Sequence, residues 1–193
     1  INHPKAIREV PEKLFSIQLI KYMPSTLISE NIEEIKIFFK KHKKIIVKPI
    51  NGYSGNEVIL LKKFNNKIID KYLKKHNHVI FQKFLPQISK GDRRVFIING
   101  KIKGSISRVP KKYSILSNMS KGAIAQINKL TKRQIKISKE VANLLNKDNI
   151  YFAGVDFVQD KLIGDINVTS PTGLTTYYKL TGKNLAKYFW DNI

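Results

Sequence analysis

The sequence of 193 residues contains no cysteine, and this absence excludes disulfide bonds, thiolate zinc sites and a cysteine nucleophile. It also lacks an apolar run of about 18 residues, so neither a membrane-spanning helix nor a membrane partner is expected. The chain begins at Ile1, with neither an initiator methionine nor the pattern of a signal peptide. These absences predict a cytoplasmic protein and a chain that is a piece of a longer one.

Acidic residues are scarce: 14 stand against 36 lysines and arginines, and the formal net charge is +22. Such a charge is typical of proteins that bind nucleic acid or other anions. Only five of the 36 cations are arginines, the residues that best read bases and clamp phosphates, which leaves 31 lysines spread along the chain. Nucleic-acid binding is therefore a disfavoured alternative, and an attraction for phosphorylated ligands is the better interpretation.

Hydrophobic patterning predicts an α+β fold in two lobes, with largely antiparallel sheets. Asn99-Gly100, between two apolar runs, is the strongest hairpin signal. Residues 110–123 lack periodicity and predict a long mobile loop. Helices are predicted over 11–23, 32–41, 68–75, 131–146 and 183–190. Strands are predicted over 26–28, 44–49, 57–62, 79–84, 93–98, 102–109, 151–158 and 162–168.

Three oxygen-bearing side chains are predicted to meet on the last hairpin. Asp165 and Asn167 share one face of their strand because side chains alternate, and Asp156 lies on the paired strand. Oxygen ligands without imidazole suit Mg²⁺ or Mn²⁺, and Mg²⁺ is usually shared with substrate phosphates. The spacing alone leaves a second interpretation open, a hairpin face that is simply solvated.

A glycine-containing loop, from Gly52 to Gly55, lies between two predicted strands and follows Lys48. Glycine allows close approach of the backbone to a ligand, and consecutive N–H groups can hold phosphate oxygens. The alternatives are a plain hairpin loop and, for Lys48, simple surface charge. Among the rare arginines, Arg94 and Arg108 fall at the same end of the Asn99-Gly100 hairpin, where they could clamp a phosphate or carboxylate or form an exposed pair.

Taken together, these motifs resemble the ATP-grasp ligases, and most closely the bacterial glutathione synthetase family. The resemblance covers nearly the whole chain and implies the ATP-grasp fold, two α+β lobes that clasp a nucleotide. It implies a small lobe over residues 1–80, entered from an N-terminal domain that these residues do not include, and a large lobe over 81–193. The segments that carry it are HPKAIREVPEKLF (3–15), VKPINGYSG (47–55), FQKFLP (81–86), GDRRVFIINGK (91–101), SRVP (107–110) and AGVDF with DINVTSPTG (153–173).

The resemblance also implies roles for individual residues. The residues implied to bind ATP are Lys13, Lys48, Gly52, Tyr53, Ser54, Gly55, Gln82, Lys83, Phe84, Leu85 and Asp92. The implied Mg²⁺ or Mn²⁺ ligands are Asp156, Asp165 and Asn167. Arg94 and Arg108 match catalytic positions near the transferred phosphate and the substrate carboxylate. The further residues implied to lie beside the substrate are Asn118, Gly122, Ser170, Pro171 and Thr172.

The implied reaction joins γ-glutamylcysteine to glycine with ATP, through an acyl phosphate, and needs no nucleophile from the protein. Three features depart from the family pattern. Asp165 stands where glutamate is common, the stretch 118–125 lacks the usual paired glycines and arginine, and the tract after Gly173 is shorter than usual and lacks the usual arginine and acids. They bear on the choice of substrate, so another peptide ligase of this fold, such as a glutamate-adding enzyme, stays open beside a non-catalytic basic module. A homo-oligomer is expected for the full-length protein, and activity without the N-terminal domain is an open question.

Overall fold

The computed structural model describes residues 2–52 and 55–193 as two compact units. The smaller unit is Met23–Pro86, and the larger unit combines the described residues up to Tyr22 with Gln87–Ile193. This division differs from the predicted boundary between residues 80 and 81. Residues 79–86 stay with the smaller unit because the strand Val79–Lys83 lies inside its sheet. The N-terminal residues belong to the larger unit because they bond to its last strand.

The described parts of the chain contain nine strands and six α-helices. The strands are Thr26–Ile28 (β1), Ile45–Pro49 (β2), Ile59–Leu61 (β3), Val79–Lys83 (β4), Asp92–Ile98 (β5), Lys101–Val109 (β6), Ile124–Ile127 (β7), Phe152–Val158 (β8) and Lys161–Asn167 (β9). The helices are Pro4–Glu9 (α1), Ile32–His42 (α2), Asn66–His76 (α3), Lys132–Lys147 (α4), Leu174–Thr181 (α5) and Leu185–Trp190 (α6). Short 3₁₀ segments occupy Phe15–Tyr22, Pro86–Lys90 and Met119–Lys121.

The smaller unit is a four-stranded antiparallel sheet in the order β1-β4-β2-β3, covered by α2 and α3. Asparagine caps begin both helices: the side chain of Asn31 accepts from the backbone N–H of Glu33 at 2.9 Å, and that of Asn65 accepts from Ile68 at 3.1 Å. The core of this unit is apolar and buried, and consists of Ile35, Ile45, Val47, Leu61, Ile69, Val79 and Phe81.

The larger unit is a five-stranded antiparallel sheet in the order β7-β6-β5-β8-β9. Its first hairpin turns at Asn99 and Gly100, both with positive φ, as a type I′ turn requires. A capping box starts α4, since Thr131 accepts from the N–H of Gln134 and Gln134 accepts from the N–H of Thr131, each at 3.0 Å. The α+β class and the largely antiparallel pairing are as predicted.

Three parts of the secondary structure differ from the prediction. The single helix predicted over 11–23 is wrong: α1 precedes it, and a 3₁₀ segment with a kink at Leu19 takes its place. Tertiary contacts override the local helical pattern, because the backbone carbonyl of Glu12 accepts a hydrogen bond from Ile166 N at 3.1 Å. Neither β7 nor α5 was predicted, since β7 is short and exposed, and α5 lies between two glycines with positive φ. No helix in the described ranges is long and apolar enough to cross a membrane.

Candidate active site

Four buried charged residues form one hydrogen-bonded network in the larger unit: Asp92, Arg94, Arg108 and Asp156. Arg94 holds Asp156 with two bonds, from Nε to Oδ1 at 2.8 Å and from Nη2 to Oδ2 at 2.7 Å. Arg108 bridges the two carboxylates, because its Nε donates to Asp92 Oδ1 at 2.8 Å and its Nη2 donates to Oδ2 of both Asp92 and Asp156. We call this set the charged network.

Strand register explains why these four residues meet. Asp92 pairs with Arg108 across β5 and β6, and Arg94 pairs with Asp156 across β5 and β8. Paired residues of antiparallel strands point to the same face, and alternate residues of one strand do so too. Each of the four is no more than 6% exposed, so the interpretation of Arg94 and Arg108 as an exposed surface pair is wrong.

The charged network shifts the pKa values of its two carboxyl groups in opposite directions. Burial would raise the pKa of Asp156, but the guanidiniums of Arg108 and Arg94 outweigh it and lower this pKa to about 2. Burial raises the pKa of Asp92 to about 6, against the attraction of Arg108, and the nearby Asp156 carboxylate adds to the rise. Asp156 is therefore the group that stays ionised throughout the ordinary pH range.

The other two predicted metal residues lie next to this network on β9. Asn167 pairs with Gly154, which is two residues before Asp156, so Asn167 and Asp165 share the face that carries Asp156. Both are half-buried, so this face is not the fully solvated hairpin surface that the sequence left open. The described residues contain no group of three histidine or acidic residues that could hold a metal, and the candidate set has two carboxylates and one amide.

This donor set fits a hard divalent cation. Carboxylate and amide oxygens are ligands of Mg²⁺ and Mn²⁺, and Mg²⁺ commonly takes only one or two carboxylates from the protein. Asp156 already accepts three hydrogen bonds from Arg94 and Arg108, which leaves it part of its acceptor capacity. Asn167 Oδ1 accepts from Ser170 N at 3.1 Å, and its second lone pair remains as a donor to a metal.

The segment Ser170–Thr172 is fixed over the same face. Arg94 Nη1 donates to the backbone carbonyl of Thr172 at 3.3 Å and to its Oγ1 at 3.2 Å. Gly154 lies below, where an added Cβ would stand 3.1 Å from Cβ of Pro171. The absence of a side chain at Gly154 therefore lets this segment approach β8, and Arg94 links it directly to Asp156.

Glu12 is a residue at this site that sequence reasoning missed. Its Oε1 accepts from the N–H groups of Val168 and Thr169, at 3.1 and 3.2 Å, and from Thr169 Oγ1 at 2.8 Å. It lies in one of the segments that carry the family resemblance, and it is one of only 14 acids in a very basic chain. Those two signals could have marked it, although neither would have identified its partners.

In the smaller unit, Lys48 and Gln82 share the face of the sheet that is turned away from the apolar core. Lys48 is only 5% exposed, so its interpretation as surface charge is wrong. Gln82 donates from Nε2 to Thr26 Oγ1 at 2.9 Å, and Lys83 ends β4, followed by Phe84 and Leu85.

Gly52 and Gly55 lie between β2 and β3, and Tyr53 and Ser54 lie outside the described residues. Gly55 has a φ of 68°, and a Cβ on Gly52 would meet Cγ of Pro49 at 2.6 Å, so neither position readily accepts a side chain.

The remaining predicted residues belong to the larger unit. Lys13 contributes its backbone carbonyl to Ser16 Oγ, 2.8 Å away. Asn118 and Gly122 flank the 3₁₀ segment Met119–Lys121 and bond within it: Lys121 N donates to the Asn118 carbonyl, and Gly122 N donates to that of Met119, each at 2.9 Å. The contacts of the structure therefore assemble Arg94, Arg108, Asp156 and Thr172 into one cluster and leave Asn118 and Gly122 in their own loop.

The family of the prokaryotic glutathione synthetase ATP-grasp domain matches residues 12–182. The chain belongs to this family. A glutathione synthetase from Bradyrhizobium diazoefficiens is 34% identical over 197 residues, which cover 100% of this chain and 62% of the relative. One from Buchnera aphidicola subsp. Baizongia pistaciae is 36% identical over 199 residues, covering 100% and 61%. The chain thus spans about three fifths of the length of these curated relatives.

The solved structure of the ATP-grasp ligase PsnB, complexed with a phosphomimetic variant of minimal precursor, Mg and ADP, is similar in fold. Its TM-score is 0.70 at 16% identity, over 98% of this chain and 60% of that chain. A likeness at that identity concerns the fold alone, and it confirms the predicted ATP-grasp fold. Family membership confirms the resemblance and does not favour the two alternatives, a different peptide ligase and a basic nucleic-acid module.

Proposed function

We propose that this chain is the ATP-grasp part of a glutathione synthase, which joins γ-glutamylcysteine to glycine at the expense of ATP. The observation that carries the proposal is the charged network, two guanidiniums fixed on a buried carboxylate beside Asp165 and Asn167, in a chain of this family. The relatives that match the whole chain are named glutathione synthetases.

The proposed reaction has two steps. The cysteine carboxylate oxygen forms a bond to the γ-phosphorus of ATP while the bridging P–O bond to ADP breaks, giving an acyl phosphate. The glycine nitrogen then attacks the acyl carbon, the C–O bond to phosphate breaks, and the nitrogen loses a proton to solvent. The protein contributes positions and charges rather than a nucleophile.

Arg94 and Arg108 are proposed as the catalytic guanidiniums, which bind the substrate carboxylate and the phosphate being transferred. Asp156 holds both in fixed directions, and groups that are already oriented need no reorganisation as negative charge moves during the reaction. Ser170, Pro171 and Thr172, with Asn118 and Gly122, are proposed to lie beside the peptide substrate. Residues 110–123 are proposed to shield the acyl phosphate from water.

Nucleotide binding is proposed for residues of each unit. In the larger unit, Lys13 contacts phosphate and Asp92 contacts ribose. In the smaller unit, Lys48 and the loop from Gly52 through Tyr53 and Ser54 to Gly55 contact phosphate, and the backbone of Gln82, Lys83, Phe84 and Leu85 reads adenine. These assignments rest on positions in the family pattern, and the burial of Lys48 supports a specific role for it.

Mg²⁺ or Mn²⁺ is proposed to be held by Asp156, Asp165 and Asn167. When bound, such an ion neutralises phosphate charge and orients the phosphates. The sharing of Asp156 between this site and the two arginines would couple metal binding to their orientation. A cytoplasmic location and a homo-oligomer of the full-length protein remain predictions.

Two measurements test the proposed function. The full-length protein should release ADP with γ-glutamylcysteine, glycine and Mg²⁺–ATP, and the rate should fall to background without γ-glutamylcysteine. Calorimetry should detect Mg²⁺-dependent ATP binding that is lost in the double variant Asp165→Ala, Asn167→Ala. The matched control is Asp191→Ala, Asn192→Ala, a pair on exposed residues at the end of α6. Substrate-independent ADP release would reject the activity, and unchanged ATP binding in the first double variant would reject the metal site.

A further inference from the structure

The N-terminal residues Asn2–Ser16 bond to the outer edge of the large-unit sheet, and we call them the edge segment. The side chain of Asn2 donates to the carbonyls of Phe152 and Val168, at 2.8 and 2.7 Å, and accepts from Phe152 N at 2.7 Å. Ser16 Oγ donates to the carbonyl of Gly164 at 3.2 Å. Phe152 begins the neighbouring strand β8, whereas Gly164 lies on β9 and Val168 directly follows it. Because β9 is the last strand in the sheet order, the bonds to Gly164 and Val168 occupy an edge that would otherwise expose its polar groups.

Within the edge segment, Glu12 bonds to residues on both sides of Asn167, a proposed metal ligand. Its backbone carbonyl accepts from Ile166 N, one residue before Asn167, and its Oε1 accepts the three bonds from Val168 and Thr169, directly after Asn167. Hydrogen bonds to an ionised acceptor are stronger than those between neutral groups, so one carboxylate oxygen with three donors fixes these two residues firmly.

The turn after Asn167 is thus held from two sides. Asn167 Oδ1 closes it by accepting from Ser170 N, and Glu12 holds the two residues in between. The segment Ser170–Thr172 follows, and its last residue, Thr172, is bonded to Arg94. Loss of the Glu12 carboxylate would free Val168 and Thr169 and thereby let the Asn167 amide and the Ser170–Thr172 segment reorient.

We propose that Glu12 is a positioning residue of this site: it fixes residues 167–172 so that Asn167 presents its oxygen to the metal. The proposal rests on the proposed function in naming the metal. It further joins two parts of the proposed nucleotide site, because Glu12 directly precedes Lys13, and Ser16 Oγ contacts the carbonyls of both Lys13 and Gly164.

The test compares Glu12→Ala with Glu12→Gln in the full chain. Glutamine keeps an acceptor oxygen for the two N–H groups, so it should preserve most of the function, whereas alanine removes it. In Glu12→Ala, amide hydrogen exchange at residues 167–170 should speed up by about tenfold. The Mg²⁺ concentration that half-saturates ATP binding should rise by about tenfold, the lower end for loss of a group that orients a metal ligand.

The matched control is Glu9→Ala, which removes an exposed glutamate of the same segment whose partner is Lys5, and it should leave both measurements unchanged. Metal-free ATP binding, measured in EDTA, should change by less than about twofold in Glu12→Ala. Three results would each overturn the proposal: unchanged exchange at 167–170, equal loss of metal-free and metal-dependent ATP binding, or a Glu12→Gln variant as impaired as Glu12→Ala. A wild-type chain without Mg²⁺-dependent ATP binding would reject the proposed metal site, and the exchange experiment would still decide whether Glu12 holds the turn.

Discussion

The two ends of one sheet face in the larger unit differ in chemistry although they share the same strands. Alternate residues of β5 on this face are Asp92, Arg94, Phe96 and Ile98, and all four are at most 6% exposed. The first two belong to the charged network. The last two pack with Tyr177 and Leu185 of α5 and α6 in an apolar cluster.

Burial alone therefore does not separate a functional end from a structural one. Apolar burial stabilises a fold directly, whereas the desolvation of buried ions offsets much of their mutual attraction. A network of two arginines and two aspartates is thus a poor choice for stability alone. Its presence at one end of the face supports the role in binding charged groups that we propose for this end, whereas the other end holds the sheet to α5 and α6.

The largest expected loss of stability comes from Arg108→Met at the charged end. This change keeps an unbranched side chain of moderate length and removes the guanidinium that bridges Asp92 and Asp156. Asp92 then loses its bidentate partner inside the protein, and Asp156 keeps only Arg94. Removing one partner of a buried ion pair is strongly destabilising, so the free energy of unfolding in urea at pH 7 should fall by about 4 kcal/mol. ADP release by the full-length protein should also be lost.

Arg133→Met is the control for this change, since Arg133 is an exposed side chain in the first turn of α4. Its free energy of unfolding should change by less than about 0.5 kcal/mol. If Arg108→Met were no more destabilising than Arg133→Met, the charged network would not be formed in solution.

A second prediction uses pH to weaken the charged end without changing its shape. The folded protein keeps Asp156 ionised down to a pKa of about 2, while the unfolded chain protonates it near pH 4. Its stabilising contribution is therefore complete above about pH 5 and is lost as the pH falls toward 2. The difference in unfolding free energy between wild type and Asp156→Asn should shrink by about 2 kcal/mol between pH 5 and pH 2.

The same comparison with Asp191→Asn serves as the control, because Asp191 is an exposed residue paired with Lys187 on α6. Its difference from wild type should vary by less than about 0.5 kcal/mol over that range. A difference for Asp156→Asn that stays constant from pH 5 to pH 2 would contradict the ion pairing assigned to this carboxylate.

The face that carries the site could be predicted from sequence, since the alternation of Asp165 and Asn167 and the Asn99-Gly100 turn fix which residues share a side. The contacts of these residues could not. Nothing in the local pattern shows that Arg94 and Arg108 both turn to Asp156, because that depends on the β5–β8 pairing between segments 62 residues apart. Glu12 is the extreme case, as it lies 156 residues from Val168.

The secondary structure shows the same contrast between what local sequence predicts and what distant contacts decide. Long amphipathic helices and hairpins with strong turns, such as α4 and the β5–β6 pair, were predicted nearly to their ends. The segments that failed depend on distant partners: β7 forms only by pairing with β6, and residues 15–22 take a 3₁₀ conformation against β9. Local propensity is a weak guide wherever the partner, rather than the segment, decides the conformation.

The smallest expected loss of stability comes from Gly104→Ala on β6, which disturbs the packing of the apolar end. An added Cβ would stand 2.6 Å from Cζ and 2.7 Å from Cε2 of Tyr177. The Tyr177 ring packs against Phe96, so it has to move to make room for the Cβ. Overpacking of this kind, reduced by the lower entropy of alanine in the unfolded chain, should cost about 1.5 kcal/mol of unfolding free energy in urea. Tyr177→Leu added to Gly104→Ala should restore part of the loss relative to the sum of the single changes, because the two sites share one contact. ADP release should stay near the wild-type rate, since this end contributes no residue to the charged network; loss of activity matching that of Arg108→Met would mean that the two ends are not functionally distinct.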